Sequence, residues 1–154
     1  YATIVYTIIG IFMAYELEKS IGFKINQTAN KLNSKFIKIL QAYDTAPEQR
    51  ATLEIIKYEK EVNQTMIAEI LGKDKTTISR TLSTLEKKGF IKKIQIDKRT
   101  NHIQLTQLGE DILDKSANQV KEFRASLTSN LTNDEITQLV TLLEKIALNV
   151  REDK

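Results

Sequence analysis

Between Glu16 and Tyr43 the apolar residues Leu17, Ile21, Ile25, Leu32, Phe36, Leu40 and Tyr43 recur at spacings of three, four and seven. That period places them on one side of a single long amphipathic helix. Asp44-Thr45-Ala46 interrupts the pattern, and Pro47 stands where a first helical turn tolerates proline. A second helix is therefore predicted from Pro47 to about Tyr58, with Leu53, Ile55 and Ile56 turned inward. A third, short helix fits 64–71, with Asn63 as its N-cap and Gly72 as its stop. Gly72-Lys73-Asp74 separates it from a fourth helix over 75–88, capped by Asp74 and ended by Gly89. Two short helices across a three-residue, glycine-bearing turn form a helix-turn-helix, a pattern that plain bundles also contain.

The period then shortens to two. In FIKKIQI, Ile94 and Ile96 alternate with Lys93 and Gln95; in HIQL, Ile103 and Leu105 alternate with His102 and Gln104. Alternation of this kind means strands, and the polar run Asp97-Lys98-Arg99-Thr100-Asn101 between them makes a hairpin with a charged tip. A hairpin directly after a helix-turn-helix makes a winged helix. Beyond Thr106, Leu108, Ile112, Val120, Phe123 and Leu127 return to helical spacing, to about Ser129. Thr132-Asn133-Asp134-Glu135 then has the capping-box form and opens a last helix striped by Ile136, Leu139, Val140, Leu143, Ile146, Ala147 and Val150.

The expected fold is mainly α with a small β-hairpin: a winged helix-turn-helix core flanked by N- and C-terminal helices in one structural domain. The boundaries fall at 1–15 for an apolar N-terminal extension, 16–45 for the first helix, 46–106 for the winged core and 107–154 for the C-terminal helices. The apolar stripes of the flanking helices are broader than so small a core can cover. They predict a homodimer joined through 16–43 and 107–150.

Composition narrows the chemistry. With 154 residues, 41% of them apolar, the chain holds enough material for a real core and is not compositionally disordered. The absence of cysteine removes disulfides, thiolate catalysis, thiol redox sensing and the usual structural zinc sites. His102 is the single imidazole and no EF-hand loop occurs, so neither a metal nor a cofactor is expected. There is no Gly-rich phosphate loop, and Ser79 and Ser83 lack a base, so the chain does not read as an enzyme and no catalytic residue is assigned. The uncharged run over 2–14 is too short to span a bilayer and no Lys or Arg precedes it, against both a transmembrane segment and a signal peptide. With Met13 just before the first amphipathic helix, residues 1–12 read equally as a leader or added extension and as a native segment packed on a partner. A cytoplasmic protein without a membrane partner is expected.

Charge points to the partner. At 100° per residue, Ile78, Leu82 and Leu85 lie on one side of the fourth helix and Thr76, Arg80, Ser83 and Lys87 on the other, with Glu86 off to one side. Taken alone, such a face is ordinarily solvated. The whole chain carries only +3, but residues 73–99 hold nine Lys/Arg and three acids, a net of +6, which leaves −3 for the rest. Positive charge gathered on one winged unit is the footprint of phosphate binding. Hydroxyls and an arginine on an acid-poor helix face suit the major groove. A winged helix used as a protein–protein interaction module is the competing reading, and it has no need of such a face.

The stretch NQTMIAEILGKDKTTISRTLSTLEKKGFIKKIQIDKRTNHIQLTQLGEDIL resembles the DNA-binding core of the MarR family of bacterial transcriptional regulators. APEQRATLEII before it resembles that family's second helix, so the likeness covers roughly 46–113. Its most specific pieces are TTISRTLSTLEKKGFI, Asp97-Lys98-Arg99, and Leu105-Thr106 followed by Gly109. The resemblance implies a homodimer that reads a pseudo-palindromic operator in double-stranded DNA, most simply as a repressor. The fourth helix would enter the major groove, and Arg99, oriented by a salt bridge from Asp97, would reach the minor groove. The DNA-contacting set it implies is Asn63, Gln64, Thr65, Lys75, Thr76, Thr77, Ser79, Arg80, Ser83, Lys98 and Arg99. The wing from Gly89 to Asp97 is shorter than the common family pattern. Members often bind small aromatic or phenolic acids between the dimer helices and the winged helix, so the resemblance admits such a ligand as a releasing signal.

Overall fold

The computed structural model describes residues 16–95 and 101–150, and the chain divides into two compact units, 1–115 and 116–154. The first unit holds α1 (Ile21–Leu40), a 3-10 turn (Gln41–Tyr43), α2 (Pro47–Tyr58), α3 (Gln64–Leu71), α4 (Lys75–Lys87), β1 (Ile91–Gln95), β2 (Asn101–Leu105) and the start of α5 (Gln107–Leu127). The second holds the rest of α5 and α6 (Asn133–Asn149). The mainly helical winged fold expected from the sequence is the one observed.

The single helix predicted over 16–43 is corrected. Residues 16–19 are helical, but Ser20 leaves the helical region, its N–H returning to Leu17 O at 3.0 Å and its hydroxyl accepting from Phe23 N at 3.4 Å. A serine that bonds its own neighbouring backbone competes with the helix, so α1 starts afresh there. At the other end the helix tightens into the 3-10 turn, and Asp44 at φ 50° closes it. The remaining boundaries follow the local signals. Asn63 accepts from Met66 N at 3.0 Å, Gly72 stops α3 at φ 60°, and Asp74 accepts from Thr77 N at 2.8 Å.

The core of the first unit joins Leu53 and Ile56 of α2, Ile67 of α3, Ile78, Leu82 and Leu85 of α4, and Phe90, Ile91, Ile103 and Leu113. The strands pair antiparallel with Ile91 opposite Leu105 and Ile94 opposite His102. Ile91 and Ile103 are the buried strand residues, Ile94 is half-buried, and Ile96 lies outside the described residues. The segment before α3 joins this hairpin, because Ile103 N donates to Val62 O at 3.0 Å. Arg50 of α2 is buried, with its guanidinium 3.0 Å from Glu54 and donating to the Leu113 carbonyl at 3.4 Å. Its charge is thus satisfied inside the unit rather than offered to a ligand.

Thr106 ties the winged region together. Its N–H donates to Phe90 O at 3.0 Å, its hydroxyl donates to Gly89 O, and it accepts from Gly109 N at 3.2 Å as α5 begins. Gly89 takes φ 73°, a conformation that L side chains rarely adopt, and turns the chain from α4 into β1. In the second unit, Thr132 and Glu135 form the predicted capping box, with Thr132 N donating to Glu135 at 2.8 Å and Glu135 N donating back at 3.3 Å. The Thr132 N–H and then the Thr132 hydroxyl, both donating to the carboxylate, hold Glu135 below the usual carboxylate range. No helix among the described residues is long and apolar enough to cross a membrane.

Candidate nucleic-acid interface

The helix-turn-helix is built by short-range bonds. Lys73 N donates to Ala68 O at 2.9 Å across the Gly72 turn, and Gln64 Nε2 reaches over to accept the role of strap, donating to Lys75 O at 2.8 Å. That bond fixes the start of α4 against the start of α3. The apolar side of α4 is sealed, with Ile78, Leu82 and Leu85 almost wholly buried. The opposite side is open: Lys75, Thr76, Ser79, Arg80 and Lys87 are exposed and Ser83 is half-buried.

The electrostatics of that face are cleaner than the sequence discloses. Glu86, the one acid of α4, is held by Lys93 of β1 at 2.7 Å. Lys88 turns away to Asp44 at 3.1 Å and to Gln49 at 3.4 Å. Two of the seven basic residues of 73–99 that lie among the described residues are therefore engaged within the fold. Lys73, Lys75, Arg80 and Lys87 are exposed and meet no carboxylate among the described residues. A surface with several uncompensated cations and its one acid neutralised attracts polyanions.

Three of the predicted contact residues also bond within the fold: Asn63 Oδ1 caps α3, Gln64 Nε2 forms the strap to α4, and the Thr77 hydroxyl donates to Asp74 at 2.6 Å. Thr65, Lys75, Thr76, Ser79 and Arg80 remain exposed, on or beside the outward face. Asp97, Lys98 and Arg99 lie outside the described residues. The outward face also owes its placement to Glu48 of α2, whose carboxylate accepts from the Thr81 hydroxyl; nothing in the spacing of either helix signals that pair.

Asp74 links this face to pH. Its carboxyl lies below the usual carboxylate range because the Thr77 hydroxyl and then the Thr77 amide donate to it. A group depressed on folding stabilises the folded state above its unfolded pKa and loses that contribution as pH falls through the lower folded value. Thermal unfolding followed from neutral pH down through the carboxylate range is expected to show less acid sensitivity in Asp74→Asn than in the unaltered chain. Asparagine still caps the helix but does not titrate. Equal acid sensitivity in the two proteins would remove Asp74 from the account.

A cleft of about 330 Å³ lies between the end of α2, β2 and the start of α5, lined in part by Glu59, Glu61, Glu110, Lys57 and His102. Lys57 is bound to Asp114 at 2.9 Å, a bond that raises its pKa, so three carboxylates dominate the wall. Such a field repels an anionic aromatic acid. No group of three or more His, Asp or Glu among the described residues is arranged to hold a metal ion.

Comparison with known proteins joins these observations. The family model described as MarR family matches residues 46–100, a span that takes in α2, α3, α4 and β1 and ends before β2. A MarR/EmrR family transcriptional regulator from Acinetobacter sp. ADP1 is 29% identical, covers 82% of this chain and 92% of its own length, and superposes with a TM-score of 0.76. A cysteine-to-serine mutant of MarR from E. coli, solved with operator DNA, is 26% identical over 82% of this chain and 92% of its own, with a TM-score of 0.75. MepR of S. aureus in complex with DNA, at 23% identity, shares the fold with a TM-score of 0.80 over 87% of this chain and 99% of its own.

Proposed function

The chain belongs to the MarR family through its winged helix-turn-helix domain, and from that premise we propose that it is a sequence-specific DNA-binding transcriptional regulator, a repressor acting on a pseudo-palindromic operator as a homodimer. The observation that carries the reading is the outward face of α4: exposed Arg80 and Lys75 among short hydroxyl side chains, with Glu86 neutralised by Lys93. Arginine pairs with both acceptors of guanine in the major groove, and serine and threonine serve either base or phosphate. The E. coli relative solved with operator DNA supports the same partner. A regulator of this kind works where the bacterial chromosome lies, in the cytoplasm, and does no chemistry on what it binds.

The homodimer rests on apolar surface left open on the outer helices. Ile21, Ile25 and Ile37 of α1 and Leu139, Val140, Leu142, Leu143 and Leu148 of α6 are exposed. Isolated apolar side chains on a surface are ordinary, but so many on one terminal helix need a covering partner.

Selection of bound duplexes from a random pool, followed by sequencing, tests the reading. A dyad of two half-sites about 10 bp apart, centre to centre, is expected. The wing contact belongs to the same experiment. Arg99 in a narrow minor groove favours A·T-rich flanks, so pools selected by Arg99→Ala are expected to lose that flank enrichment and keep the half-sites. Recovery of no enriched sequence by the unaltered chain would favour the protein-interaction module instead.

A further inference from the structure

The charge left outside the winged unit is not evenly spread. Residues 21–43 contain Lys24, Lys31, Lys35 and Lys38 and no acid, so α1 carries +4 and the chain outside α1 and 73–99 carries −7. The four lysines are spaced by seven, four and three, which at 100° per residue confines them to an arc of about 60°. All four are exposed. The arc is set apart from the apolar stripe of Ile25, Leu32, Phe36 and Leu40, so a partner covering that stripe leaves the lysines at its edge rather than beneath it. At 1.5 Å per residue, Lys24 to Lys38 is about 21 Å, the length over which one DNA strand presents about six phosphates.

We propose that the lysine arc of α1 is a second phosphate-binding surface, distinct from the winged helix, that grips duplex DNA outside the operator core without regard to sequence. The inference rests on the DNA-binding reading above. Ammonium groups act as point charges on flexible stems and suit phosphate rather than the bidentate reading of bases. The polar residues beside them, Gln27, Asn30 and Ser34, add hydrogen-bonding groups and no opposing charge. The acid-free run matters as much as the lysines, since a surface helix built for solubility alone mixes both signs.

The test uses the full chain and its Lys24→Gln, Lys31→Gln, Lys35→Gln, Lys38→Gln variant on two duplexes. One is a selected operator core of about 20 bp, two half-sites one helical turn apart, and the other is that core with mixed-sequence arms on both sides. On the armed duplex the variant is expected to bind more weakly, with the slope of log K against log salt reduced in magnitude by about 2 to 4. On the bare core it is expected to match the unaltered chain, and the corresponding four-arginine variant is expected to restore the armed-duplex slope. Circular dichroism and sedimentation check that helix content and association are unchanged. Equal binding by variant and parent on both duplexes makes the arc a solvated face and overturns the proposal. Equal losses on both assign the lysines to the core contact or to the dimer, and overturn it as well. Loss of binding to polyglutamate with DNA binding intact makes it a protein-docking face, again against the proposal. Failure of the parent chain to bind either duplex instead removes the DNA-binding reading itself.

Discussion

Gly109→Ala is expected to destabilise the protein by at least about 3 kcal/mol, the upper end of what overpacking ordinarily costs. A Cβ built at Gly109 collides with Phe90 O and meets Phe90 C at 3.0 Å, with Leu105 Cδ2 at 3.4 Å on a third side. The first of these is backbone, and it cannot move freely. Phe90 N donates to Leu85 O at 2.9 Å, and Phe90 O accepts from Thr106 N at 3.0 Å. Shifting the carbonyl breaks the bond that closes the base of the wing; shifting α5 withdraws Leu113 from the core. Gly22→Ala supplies the contrast. Nothing lies within 4 Å of its Cβ, and in a helix the substitution is expected to stabilise by about 0.5 to 1 kcal/mol. Urea unfolding of the full chain measures both, and a Gly109→Ala protein within 1 kcal/mol of its parent would contradict the packing described.

The contrast between these glycines shows which features the sequence discloses. Gly72 is legible because its role is local: it follows the last periodic residue of a short helix and takes the left-handed conformation there. The caps Asn63, Asp74 and Thr132 are legible for the same reason, each acting within three residues of itself. Gly109 is visible as a glycine inside a helical pattern, but its reason is Phe90, which sequence distance hides. Ser20 fails in the opposite way. The apolar spacing runs straight through it, so periodicity predicts continuity while one hydroxyl turns the chain.

The candidate interface divides along the same line. The sealed and open sides of α4 follow from the helical period, and the structure bears out both, with Leu82 and Leu85 inside and Arg80 outside. Composition could not disclose which charges are already spent. Lys88 and Asp44 are far apart in the chain, as are Thr81 and Glu48, and both pairs form only because α2 and α4 share the core. Counting cations over 73–99 therefore overstates the charge available on this unit. Averaging the remainder to −3 hides the lysine arc of α1, because the acids of other segments cancel it.

Arg80→Ala is expected to lose about 1 to 3 kcal/mol on the selected operator and to relax base preference at one position in each half-site. The side chain is exposed on α4 and forms no ion pair among the described residues, so no carboxylate there competes for its guanidinium. Its backbone is fixed as well, since Arg80 O accepts from the Thr84 hydroxyl at 3.0 Å within the helix. Removing the side chain therefore leaves the platform intact. Lys75 stands on the same open face near the helix start but carries a point charge, and its replacement by alanine should behave differently. Lys75→Ala is expected to weaken operator and random duplexes alike and to reduce the salt slope by about 1. Titrating both variants against both duplexes at one salt concentration, and then across a salt series, separates reading from gripping. Equal losses by Arg80→Ala on operator and random DNA, with a reduced salt slope, would move Arg80 to the phosphate backbone and leave the hydroxyl residues Thr76 and Ser79 as the base-reading candidates on this helix.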